Sequence, residues 1–184
     1  MNKNFSLKYF LKKDFYNFAF TSLFFICVLA LALAFIAQYI FGYEPCILCL
    51  YQRIPFYAII FLSLVYFFFK KTAIKVSERF KKNIFIICVL LLAFNALLAL
   101  YHSAVELKII KAFSGCATEN IAKVNDLEQL REILKNAKAK KCDEPELMIF
   151  NLSMANWNFI FCLVLVIFYS CLFYPRFFKI NFSK

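Results

Sequence analysis

Four long apolar stretches alternate with polar segments along the chain. They cover residues 18–41, 47–69, 84–101 and 157–174, and each is close to the roughly 20 residues that a helix needs to cross a bilayer. The second stretch is purely apolar only from Ile54 onward, so its helix must take its first turns from the segment before it. The pattern predicts an all-α membrane protein in which the whole chain forms a single domain, a bundle of four transmembrane helices.

The segment between the third and fourth stretches, residues 102–156, is the largest loop. Part of it shows the spacing of an amphipathic helix, in which apolar residues recur at steps of three and four with charged residues between them. These residues are Ile121, Val124, Leu127, Leu130, Leu134 and Ala137. We expect a short amphipathic helix that packs on the end of the bundle or lies in the lipid headgroups.

Composition supports this class, because 64% of the 184 residues are hydrophobic and only two are Gly, which excludes an ordinary soluble domain. The segments before the first helix, between the second and third, and after the fourth account for the whole net charge of +11. The positive-inside rule then places both termini in the cytoplasm and residues 42–53 and 102–156 outside it. Nucleic-acid binding is a weaker explanation of the charge, because the basic residues lie at the membrane ends of helices.

The eight cysteines divide into two groups by position. Four lie in or near the ends of apolar helices, where a thiol acts as a small hydrophobic group, and we interpret them as structural. They are Cys27, Cys88, Cys162 and Cys171. The other four lie in the predicted outer loops, where disulfides form and persist. These are Cys46, Cys49, Cys116 and Cys142.

Cys46 and Cys49 follow Pro45, a residue that suits the first position of a helix. Both thiols then share one face of the first turn, where unpaired backbone N–H groups and the helix dipole stabilise a thiolate. Arg53 follows on the same face, where a guanidinium needs a partner such as a thiolate or a polar ligand. The alternative is an interfacial arginine that touches lipid headgroups.

Cys116 and Cys142 bracket the predicted amphipathic helix. A bond between them would be a structural staple in the simplest interpretation, although a staple does not account for the CxxC pair in the other loop. We predict no metal site, because only one pair has zinc-knuckle spacing and His102 belongs to no metal-binding motif. A c-type haem is excluded at the CxxC, because Leu50 and not a histidine follows it.

The segment PCILCLYQR, at residues 45–53, and the order of helices and cysteine pairs resemble the DsbB and DsbI disulfide bond formation proteins of bacterial inner membranes. The resemblance covers essentially the whole chain. It implies that Cys46 and Cys49 form the membrane-proximal disulfide, with Cys49 closest to a bound quinone. It also implies that Arg53 assists quinone binding or polarises the reaction.

The same resemblance implies a path for the electrons. Cys116 would form a mixed disulfide with a DsbA-like periplasmic protein of the thioredoxin fold, and Cys142 would exchange electrons with Cys46. The final acceptor would be ubiquinone or menaquinone, the kind of route that keeps the bacterial periplasm oxidising. His102 falls near a histidine of the family and is a candidate quinone contact, whereas the alternative is a histidine that faces the headgroups.

Two other functions fit parts of the pattern. A vitamin K epoxide reductase-like quinone protein also has four helices and two cysteine pairs, but there the loop pair precedes the CxxC, whereas here the CxxC comes first. A non-enzymatic membrane subunit would hold its outer cysteines in inert structural disulfides. We therefore expect a multi-pass protein-disulfide:quinone oxidoreductase of the inner membrane that sustains disulfide bond formation.

Overall fold

Four long helices form the protein in a computed structural model. The structure describes residues 3–72, 77–110, 142 and 147–181. The helices are α1 (Lys3–Tyr39), α2 (Ile47–Lys71), α3 (Glu78–Glu106) and α4 (Met154–Asn181). Each contains a span that is long and apolar enough to cross a membrane.

The predicted all-α, four-span architecture is therefore confirmed. Two expectations for the long loop, the amphipathic helix at residues 121–137 and the position of Cys116, lie outside the described residues.

The helices extend beyond the apolar stretches that predict them. α1 begins at Lys3 rather than near residue 18, and α3 begins at Glu78, where the Ser77 side chain accepts the Arg79 N–H. α2 continues through Pro55 as one helix. Apolar residues mark only the part of a helix that suits lipid, whereas backbone hydrogen bonds and caps decide where the helix ends.

A short antiparallel hairpin precedes α4, in a region where the sequence pattern predicts only loop. Its strands are β1 (Met148–Ile149) and β2 (Leu152–Ser153). Phe150 and Asn151 form the turn with φ values of 52° and 60°, as a two-residue hairpin turn with both central residues in the left-handed region requires. Because β2 leads directly into α4, the hairpin fixes where that helix begins.

One apolar core lies among the helices, with α1 packed against α2, α2 against α3, and α3 against α4. All four helices contribute large, fully buried side chains to it, among them Phe20, Leu23, Ile59, Phe85, Leu92 and Tyr169. Three cysteines that we interpret as structural, Cys27, Cys88 and Cys162, are buried in the same core, whereas Cys171 is exposed. Many large apolar side chains on the outside of the bundle are exposed, as lipid contact requires.

Candidate functional site

The CxxC pair lies where α2 begins, at the end of the bundle that we call the cysteine end. Cys46 is the N-cap residue of α2, and its Sγ accepts the Cys49 N–H over 3.4 Å. The sulfur thus does what a Ser or Asp oxygen usually does at a helix start. Pro45 suits the first helical position but here precedes the cap, because α2 begins only at Ile47.

The two thiols interact directly, and both are free in this structure. The Cys46 thiol donates to Cys49 Sγ across 3.2 Å. This hydrogen bond and burial raise the pKa of Cys46 to about 12, while the nearby His102 acts in the opposite direction. Cys46 therefore keeps its proton, and Cys49 accepts the hydrogen bond, as the attacking sulfur of a dithiol does.

His102 joins the pair from the end of α3 and is only 2% exposed. Its Nε2 lies 3.5 Å from Cys46 Sγ and 3.6 Å from Glu106 Oε1. Its Nδ1 lies 3.1 Å from the Gln52 side-chain nitrogen, which can only donate, so Nδ1 accepts and Nε2 carries the hydrogen. The alternative of a headgroup-facing histidine does not fit a side chain buried in this way.

A polar network behind His102 connects three helices. Gln52 of α2 accepts a hydrogen bond from Asn158 Nδ2 of α4 over 2.8 Å. Glu106 of α3 accepts from the Ser153 hydroxyl, and the same hydroxyl oxygen accepts a backbone N–H of the first turn of α4. The network holds the imidazole in a fixed orientation beside the thiols.

Sequence reasoning did not single out these supporting residues. Two weak signals existed, since Gln52 lies inside the segment between the CxxC and Arg53, and Glu106 lies one helical turn after His102. Neither signal shows that residues of different helices meet, because that depends on how the helices pack.

Arg53 has two partners on α1. Its Nη1 donates to Gln38 Oε1 over 2.7 Å, and its guanidinium carbon lies 5.2 Å from the centroid of the Phe35 ring. These contacts satisfy part of the guanidinium inside the protein, so a purely headgroup-bound arginine does not describe it. They also orient the charge at the wall of a cavity.

The cavity has a volume of about 450 Å³, within the range of small-molecule sites, and all four helices line it at the cysteine end. Its apolar wall includes Ile26, Leu29, Ala30, Leu33, Phe56, Trp157 and Phe161. Its few polar groups include both CxxC sulfurs, Arg53 and His102. An apolar pocket with convergent polar groups is what a flat, weakly polar organic ligand requires.

Cys142 also reaches this site. It is 2% exposed and packs in a small buried cluster with Cys46, Leu48 and Val105. The structure therefore brings together three of the four candidate redox cysteines, together with Arg53 and His102. Cys116, the fourth, lies outside the described residues.

The CxxC sulfurs and His102 also form a set of metal-binding atoms. One ligand atom from each of the three residues lies within 4.8 Å of the other two. Spacing along the chain does not predict this set, because α3 supplies the histidine and the start of α2 supplies both cysteines.

Two comparisons find relatives of the chain. The family model described as "Disulfide bond formation protein DsbB" matches residues 16–172. An uncharacterized protein of Rickettsia prowazekii (strain Madrid E) is 31% identical over 175 residues, which cover 94% of this chain and 96% of that protein. No solved structure matches the chain.

Proposed function

Because the chain belongs to the DsbB family of disulfide bond formation proteins, we propose that it oxidises a DsbA-like dithiol protein of the thioredoxin fold and passes the electrons to a membrane quinone. The observation that carries the proposal is that the CxxC sulfurs, Arg53 and His102 meet at one apolar cavity. A structural disulfide needs no cavity and no half-buried arginine beside it.

The proposal includes an orientation in the bacterial inner membrane. The cysteine end faces the periplasm, and both termini and the loop between α2 and α3 face the cytoplasm. The support is the distribution of charge, since the segments on the cytoplasmic side account for the whole net charge of +11. The redox cysteines then lie in the compartment where disulfides persist.

The first exchange takes place in the long loop. A thiolate of the partner attacks Cys116 of the Cys116–Cys142 disulfide, and Cys142 leaves as a thiolate. The second partner thiolate attacks the mixed disulfide and releases Cys116. The partner has then lost two electrons, which rest on the two loop cysteines.

The second exchange moves these electrons to the CxxC. Cys142 attacks Cys46 of the Cys46–Cys49 disulfide, Cys49 leaves, and Cys116 closes the loop disulfide again. Cys142 and Cys46 lie in the same small buried cluster, which supports this step, because exchange requires the two sulfurs to approach each other. The electrons then rest on the CxxC dithiol, with Cys46 protonated and Cys49 as the acceptor of its hydrogen bond.

The residues around the cavity fit a quinone of either kind, ubiquinone or menaquinone. A bound quinone supplies an acceptor for two electrons and two protons. Trp157 and Phe161 offer apolar surface to a flat ring, and Arg53 offers donors to a carbonyl oxygen. His102 is placed to hold a proton between the Cys46 sulfur and the Glu106 carboxylate.

Turnover in detergent tests the proposal. We would supply a reduced thioredoxin-fold partner and a quinone, and follow quinone reduction by absorbance. Cys49→Ser and Cys142→Ser should fall to the background rate, whereas Cys171→Ser, which changes an exposed cysteine away from the site, should keep full activity. If wild-type protein leaves the quinone oxidised with several partners while its candidate redox cysteines stay in disulfides, a non-enzymatic subunit replaces the enzyme.

A further inference from the structure

The reduced CxxC pair and His102 are suited to a metal ion as well as to electron transfer. Two sulfurs and one imidazole nitrogen lie within 4.8 Å of one another. A set of two Cys and one His with an open fourth position is a known zinc-binding arrangement. We propose that the reduced Cys46–Cys49 pair and His102 bind a thiophilic divalent ion such as zinc, and that oxidation of the pair to a disulfide releases the ion.

Two of the three distances between ligand atoms come close to those of a tetrahedral site, and the third is within 4.8 Å. Zinc bonds of about 2.3 Å to sulfur and about 2.0 Å to nitrogen place two sulfurs roughly 3.8 Å apart and sulfur and nitrogen roughly 3.5 Å apart. Cys46 Sγ lies 3.5 Å from His102 Nε2 and 3.2 Å from Cys49 Sγ. The first distance already matches, and small side-chain rotations provide the remaining half ångström, roughly, of the second.

The surroundings also favour a cation. Cys46 and His102 are 8% and 2% exposed, so an ion there is shielded from water, and the cavity beside them provides an entry path. Two thiolates balance the charge of a divalent ion. Glu106 Oε1, 3.6 Å from His102 Nε2, adds a negative charge beside the site.

Gln52 controls whether His102 can bind the ion. In this structure its amide nitrogen donates to Nδ1, which leaves the hydrogen on Nε2. An ion at Nε2 requires the hydrogen on Nδ1. A half-turn of the Gln52 amide presents its oxygen to that N–H, and a matching half-turn of the Asn158 amide then lets Asn158 Oδ1 accept from the Gln52 nitrogen. A glutamate at this position accepts the N–H without a turn, so Gln52→Glu should tighten metal binding, an effect that misfolding cannot produce.

Metal binding and oxidation compete for the same two sulfurs. The ion replaces the two thiol protons, whereas oxidation removes two electrons and two protons and joins the sulfurs. A bound ion therefore holds the pair reduced. Its effect on electron flow to quinone rests on the proposed function, but the binding itself does not.

We would titrate the reduced full chain in detergent with Co²⁺, whose bonds to thiolate sulfur absorb in the near ultraviolet, and then displace Co²⁺ with Zn²⁺. We expect one ion per chain, with affinity about 10- to 100-fold weaker in Gln52→Leu and tighter in Gln52→Glu. Cys49→Ser and His102→Gln should lose most of the absorption, and Cys171→Ser should match wild type. Oxidation with azodicarboxamide, which takes up the two electrons and two protons, should abolish it.

If Co²⁺ gives no such absorption with the reduced wild-type chain, the proposal is overturned. Absorption that is unchanged in both Cys49→Ser and His102→Gln also overturns it, because the ion then binds elsewhere. No quinone or partner protein is present in this titration. A titration without metal binding therefore does not contradict the proposed oxidoreductase function. Failure of the turnover assay, in turn, does not contradict metal binding.

Discussion

Arg53 connects α2, at the cysteine end, to α1. Its hydrogen bond to Gln38 and its position over the Phe35 ring use the planar shape of the guanidinium as well as its charge. A lysine keeps the charge but presents a compact ammonium that cannot donate in a fork or stack on a ring. Comparing arginine with lysine at position 53 therefore distinguishes the effect of the guanidinium's orientation from the effect of its charge.

We expect Arg53→Lys to raise the quinone KM by about tenfold, roughly 1.4 kcal/mol, which is the scale of one charge-assisted hydrogen bond. The measurement is the initial rate of quinone reduction at saturating partner over a range of quinone concentrations. Arg79→Lys, which changes an exposed arginine at the start of α3, should leave the KM unchanged. Equal KM values for wild type and Arg53→Lys would exclude Arg53 from quinone binding.

The individual site residues could be predicted only in part. The CxxC and Arg53 are visible as a local pattern, because all three lie within eight residues at the start of one helix. The hydrogen-bond partners of His102 are not visible in this way, because Gln52 lies on α2 and its contact with His102 depends on how α2 and α3 pack. Likewise, no spacing rule connects Arg53 to Gln38 across the turn between α1 and α2.

At the scale of elements, the sequence predicts the helices better than their ends. The apolar stretches identify all four helices, and the family resemblance is confirmed. The first residue of α4 could not be predicted from the sequence. It depends on a hairpin with two-residue strands and on Ser153, whose hydrogen-bond acceptor Glu106 lies on α3. The start of α2 depends on a cysteine sulfur acting as a cap, where propensity favours Ser, Thr, Asp or Asn.

Aromatic packing joins α1, α2 and α3 in the core. Phe20 stacks on Tyr66 with ring centroids 4.2 Å apart and meets Phe85 edge to face at 6.5 Å. We expect Phe20→Ala to lower the free energy of unfolding by roughly 1–3 kcal/mol, less than the ~3–5 kcal/mol of a soluble core, because the unfolded reference stays in a lipid-like solvent.

The measurement is the thermal unfolding midpoint in detergent. Phe25→Ala on the same helix is the matched control, because Phe25 is 64% exposed and should shift the midpoint little. If both variants shift the midpoint equally, the aromatic cluster does not hold the bundle together.

At the scale of the whole molecule, α1 contributes a row of small residues to the wall of the cavity. Ala30, Ala34 and Ala37 line the cavity and recur at helical spacing, so they lie on one face of α1. The CxxC sulfurs and Arg53 line the same cavity from the start of α2. The bundle thus places a ligand-sized space beside the CxxC pair.

A bulky residue on this wall should separate quinone binding from thiol exchange. We expect Ala34→Trp to raise the quinone KM by about tenfold or more, because the indole ring occupies part of the space that the quinone ring requires. Ala32→Trp is the matched control, because Ala32 is exposed on the outside of α1 and does not line the cavity. Disulfide exchange with the partner protein, measured in a single turnover without quinone, should proceed at the wild-type rate in both variants. The proposed exchange runs through Cys142 and Cys46, which share a buried cluster and do not depend on the space beside Ala34. An unchanged quinone KM in Ala34→Trp would mean that electrons leave the CxxC by another surface, and a slowed exchange would mean that the substitution disturbs the cysteine end itself.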